Sequence, residues 1–129
     1  MREVEKLIEL SKVKCEIDIK RGEKKYFDFD WLLGEISSEI LEVKEEIKEN
    51  NRPYLEDELG DILWGWIILV QKLQRDGLVN SHEAIFTRAI KKYKERILPL
   101  KGNKEDYEIW QRVKEEQKKA LERELISKK

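Results

Sequence analysis

The sequence has little that breaks a helix or ties one chemistry down. Only two prolines and six glycines punctuate 129 residues. Cysteine occurs once, at Cys15, which excludes a disulfide framework and a zinc quartet. Cys15 shares a helical face with apolar neighbours and reads as a small core residue. His82 is the only histidine. With no second histidine to partner it, and at the first turn of a helix, it reads as a surface residue rather than a ligand. No long apolar run exists. The longest, Ile62 to Val70, contains a glycine and falls far short of the roughly 20 residues that span a bilayer. The net charge is −1 with the two signs interleaved, so no basic stripe points to nucleic acid. The first residues, MREVEKLIEL, are charged throughout and unlike a signal peptide. These absences lead us to expect a soluble cytoplasmic protein, with neither nucleic acid nor membrane as partner.

What is present favours helices. Charged residues make up 43% of the chain and are mostly Glu and Lys, both good helix formers. The length suits one domain, residues 1–129, and the composition an all-α fold. Periodicity and caps predict a bundle of five helices. The first runs from Glu3 to Asp18 and is followed by a turn at Lys20 to Lys25. The second starts at the N-cap Asp28 and continues to Lys48, closed by Asn50 and Asn51. The third runs from Arg52 to Arg75, with Pro53 in its first turn and Gly77 as its stop. The fourth runs from Ser81 to Leu98. The fifth, at the charge-rich end within 103–127, runs from Lys104 to Ile126, with a thin stripe of Tyr107, Trp110, Val113, Leu121 and Leu125. The second half of the third helix, ILWGWIILV, is apolar on nearly every side. A helix apolar all round is buried all round, so this half is expected at a subunit interface.

One stretch carries chemistry. Glu39 and Glu42 are spaced i, i+3, and so are Glu58 and Asp61 on the next helix. Each pair lies on one helical face, where like charges repel by a few tenths of a kcal/mol (about 0.2–0.5). At about 100° per residue, Ile36, Ile40, Val43 and Ile47 form an apolar stripe beside the acidic one. Leu55, Leu59, Ile62, Leu63, Trp66, Val70 and Leu73 form the stripe of the third helix. An antiparallel hairpin of the two brings the carboxylates together at the rim of the core. Four carboxylates on facing helices suit a hard divalent cation. A solvated acidic face has the same spacing.

The runs SEILEVKEEI and ELGDIL resemble the MazG-like nucleotide pyrophosphohydrolases, whose signature is EExxE on one helix and ExxD on the next. The likeness covers residues 29–75 well and extends loosely to 97. Ser38 stands at the first acidic position of the signature. The resemblance implies an α-helical, oligomeric, Mg²⁺-dependent enzyme, with Mn²⁺ as a substitute. Such an enzyme cleaves nucleoside triphosphates to monophosphate and pyrophosphate. It implies metal ligation by Glu39, Glu42, Glu58 and Asp61, with Glu39 or Glu42 as general base. The run RAIKKYKER is similar to the family's basic segment at Lys92, Tyr93 and Arg96, which implies phosphate binding there. The basic end of a helix, complementing its dipole, would look the same. A homodimer or homotetramer is expected. Phosphoribosyl-ATP hydrolysis and a non-enzymatic helical scaffold are the competing readings.

Overall fold

The computed structural model describes residues 2–127. Among the described residues it is all-α, with five helices and no strand: α1 (Arg2–Arg21), α2 (Phe29–Glu46), α3 (Arg52–Arg75), α4 (His82–Ile97) and α5 (Asp106–Ser127). A short 3-10 turn, Lys24–Phe27, leads from α1 into α2. Contacts between residues group the chain into two compact units, one ending at His82 and the other beginning at Glu83.

In the first unit α3 packs against α1 and α2. The boundaries follow from local chemistry. The Asp28 side chain accepts hydrogen bonds from the amides of Asp30 and Trp31, satisfying donors that a helix start leaves open. Pro53 sits in the first turn of α3, where its missing N–H costs nothing. Gly77, at φ +77°, ends α3 in the left-handed region. α1 continues to Arg21, one turn past the expected end at Asp18. Asp18 is what holds that turn, because both Lys14 and Lys72 bind its carboxylate.

α1 buries Ile8, Ser11, Cys15 and Asp18, spaced i, i+3, i+7 and i+10. The apolar half of α3 does not need a partner subunit for Ile67, Ile68 and Val70. All three are buried inside the chain, on a helix that packs against both α1 and α2. His82 corrects an expectation. It is buried, not on the surface, with Nε2 at 2.8 Å from the Ile67 carbonyl and its ring edge-on to Trp66.

In the second unit α4 and α5 are joined by side chains that cross between them. Arg88 binds Glu124, and Gln117 binds both Arg96 and the Lys92 carbonyl. Asp106 accepts from the amides of Lys101 and Gly102 at 2.8 Å each and fixes the entry to α5. No described residue from Glu83 onward is buried.

Candidate metal centre

The α2–α3 hairpin is closed by Asn51. Its Nδ2 donates to the Glu46 carbonyl at 2.8 Å and to the Glu46 carboxylate at 2.6 Å. Asn50 adopts φ +55°, a left-handed conformation that asparagine tolerates better than most residues. Farther along the hairpin the two backbones come close. A methyl group on Gly65 would lie 2.9 Å from Ile36 Cγ1. That contact is one turn from Asp61 on α3 and one turn from Glu39 on α2.

The packed face of α2 differs from the expected stripe. Leu32, Ile36, Glu39, Val43 and Glu46 are buried or half-buried, at spacings of 4, 3, 4 and 3. Ile40 and Ile47, expected in the core, are 53% and 67% exposed. Glu39 therefore lies within the face that packs on α3. Glu58 has the same position on α3, between the half-buried Leu55 and Ile62.

Glu39, Glu58 and Asp61 each offer one carboxylate oxygen, and the three oxygens lie within 4.8 Å of one another. Asp61 is exposed and the other two are half-buried. Glu39 Oε2 and Glu58 Oε2 are buried and accept no hydrogen bond. A buried carboxylate oxygen without a donor costs several kcal/mol (about 1–3, more when charged), so packing alone does not favour this arrangement. Glu42 is exposed and lies outside the group of three. It stands beside Glu39 all the same. Its carboxyl, through a contact that holds only with a shared proton, pushes the Glu39 pKa up to about 7, helped by burial and by the charges of Glu42 and Asp61. Burial first, and then the charge of Glu42, also raises the pKa of Glu58. An oxygen-only donor set with unsatisfied buried oxygens fits a hard divalent cation.

Lys92, Tyr93 and Arg96 lie on α4 in the second unit. Lys92 and Tyr93 are exposed and Arg96 is half-buried. The role of α5 was not visible beforehand. Gln117 binds Arg96, and Trp110 covers the Arg96 guanidinium at 5.3 Å. The signal was a gap. The thin stripe Tyr107–Trp110–Val113–Leu121–Leu125 skips position 117, where a polar residue stands in an apolar series.

A helical hairpin that gathers carboxylates from two helices defines an all-α protein with a cluster of oxygen donors. The model of the MazG nucleotide pyrophosphohydrolase domain matches residues 27–97, which span α2, α3 and α4. The chain belongs to that family of nucleotide pyrophosphohydrolases. Comparison with curated proteins and with solved structures gave no match.

Proposed function

We propose that the protein is a Mg²⁺-dependent nucleoside triphosphate pyrophosphohydrolase that yields a nucleoside monophosphate and pyrophosphate. The observation that carries this reading is the pair of buried, unpartnered oxygens of Glu39 and Glu58 next to Asp61. Family membership supports the reaction class. Glu39, Glu58 and Asp61 would hold the cation, with Glu42 at the edge of the group. When bound, Mg²⁺ supplies charge neutralisation for the phosphates and lowers the pKa of an attacking water. Glu42 takes the proton of that water, because it is exposed beside the cluster and free of the three-residue set. Lys92 and Arg96 bind phosphate oxygens left without a counter-charge. The assembly is a homodimer or homotetramer.

The test is product analysis with Mg²⁺, a panel of ribo- and deoxynucleoside triphosphates, and phosphoribosyl-ATP. Monophosphate and pyrophosphate are expected, and Asp61→Asn and Glu58→Gln should abolish both. Diphosphate and phosphate, or turnover indifferent to those substitutions, would overturn the reading. Glu42→Gln should lower kcat by about 10²–10⁴-fold, the usual range for a lost general base, while metal affinity is largely kept.

A further inference from the structure

One flank of α4 carries four cations, and they are not treated alike. Arg88 reaches Glu124 with both terminal nitrogens, and Lys91 pairs with Glu95 at 3.2 Å. Among the described residues Lys92 and Arg96 have no acidic partner within ion-pair distance. They stand i, i+4, where like charges repel.

Arg96 is nevertheless held firmly. Its guanidinium lies 5.7 Å from the Tyr93 ring and 5.3 Å from the Trp110 ring. Its Nε donates to Gln117 Oε1 at 2.8 Å. The other end of the same amide, Gln117 Nε2, donates to the Lys92 carbonyl at 3.0 Å and to Glu95 Oε1 at 3.1 Å. Gln117 thus ties Arg96 to the backbone one turn before it. Among the described residues the two terminal nitrogens of Arg96 have no acceptor. A guanidinium with Nε engaged, aromatic rings beside it and its terminal pair open is a preorganised fork for a phosphate. Lys92, Tyr93, Arg96 and Gln117 all line one groove of about 1180 Å³ between α4 and α5, whose α5 side carries lysines and glutamates alike.

We propose that α5, outside the family match, takes part in substrate recognition: Gln117 is a positioning residue that holds Arg96 for the phosphates of the nucleotide. The proposal rests on Lys92 and Arg96 being phosphate ligands. It adds that their geometry is set from α5.

The experiment uses the full chain and three variants, Arg96→Met, Gln117→Leu and Gln117→Glu. Tripolyphosphate binding is measured by calorimetry, and kcat and KM are measured with Mg²⁺ and a nucleoside triphosphate. Gln117→Leu should weaken tripolyphosphate binding and raise KM by about tenfold, with a smaller change in kcat. Gln117→Glu should weaken binding further, because its carboxylate pairs with Arg96, and should also lower thermal stability, because it cannot donate to the Lys92 carbonyl and faces Glu95. A packing role alone would rank the variants by stability and leave KM in place. If Arg96→Met weakens binding and neither Gln117 variant does, the positioning role is wrong and the phosphate reading stands. If Arg96→Met changes nothing, the phosphate reading of Arg96 is wrong and this proposal falls with it, whatever the acidic cluster hydrolyses.

Discussion

Lys72 has 1% of its surface exposed and carries a charge into the first unit. Its Nζ is 2.8 Å from Asp18 Oδ2 and also donates to the Tyr26 carbonyl. The aromatic rings of Tyr26 and Phe27 stand 5.5 and 5.0 Å from the ammonium. Lys72→Met leaves Asp18 charged and buried with only the partly exposed Lys14 as partner, so it should destabilise by about 3 kcal/mol in denaturant titration, the lower end for a broken buried pair. Asp18→Asn combined with Lys72→Met should cost less than the two single changes added together. Burial works to raise the Asp18 pKa, but hydrogen bonds and charge from Lys14 and Lys72 outweigh it and hold it below the ordinary aspartate range. A lowered carboxyl stabilises the fold above its unfolded pKa and loses that contribution as pH falls through the folded value. Lys72→Met should therefore flatten the loss of stability below pH 4 (about the unfolded aspartate pKa).

Glu39 works in the opposite sense. Its pKa is raised from 4.5 to about 7, so the folded chain binds this proton more tightly than the unfolded chain does. Its stabilising contribution is complete below the unfolded pKa and is lost as pH rises through the folded one. In a chelator, the melting temperature should fall between pH 5 and pH 8 (about the span of that shift) through this group. With Mg²⁺ the fall should shrink or reverse, because a cation that binds only the folded state stabilises it by mass action. Equal melting curves with and without Mg²⁺ at the higher pH would count against the metal site.

At the scale of the element, the α2–α3 hairpin depends on Gly65. Alanine there gains about 1 kcal/mol of helix propensity. Against that, its methyl would press on Ile36 Cγ1 at 2.9 Å, a branch atom held near the backbone and not a free chain end. Overpacking of this kind costs about 1–3 kcal/mol, so Gly65→Ala should be net destabilising by about 1 kcal/mol. Adding Ile36→Ala, which removes Cγ1, should cost less than the two single changes added together, as measured by a double-mutant cycle in urea. Because the contact lies one turn from both Glu39 and Asp61, Gly65→Ala should also weaken Mg²⁺ binding.

Much of this element was legible beforehand. Pro53 and Gly77 mark α3 from Arg52 to Arg75 at both ends, and Asp28 caps α2, each through its own backbone chemistry. The face on which α2 packs was not legible. Hydropathy favours Ile40 and Ile47 over Glu39, and the packing of α2 on α3 reverses that order. Asp61 and Glu58 could be read from their i, i+3 spacing, but not the burial that leaves the Glu58 oxygen without a donor. His82 escaped for a related reason. Its polar ring fits a buried position because a backbone carbonyl, at Ile67, is there to meet it. Such a partner depends on tertiary placement, which periodicity along one helix does not encode.

At the scale of the whole molecule, apolar surface is left over. Leu33 and Ile40 on α2 and Leu59 and Leu63 on α3 are all 44% or more exposed. By helical spacing they fall on the same side of the antiparallel hairpin. In the second unit α5 has no buried residue, and Leu121 and Leu125 are more exposed than covered. Helices gain most of their stability from burying an apolar face, so surfaces of this kind favour association. If the chain forms a homodimer or homotetramer through the hairpin face, sedimentation equilibrium should give two or four times the 15.6 kDa of one chain. The melting temperature should then rise with protein concentration. Ile40→Lys with Leu63→Lys should lower the measured mass to that of one chain without loss of helical signal, since neither side chain is buried within the chain. A wild-type mass of one chain across the concentration range would rule the assembly out, and the exposed hairpin face would then need another partner.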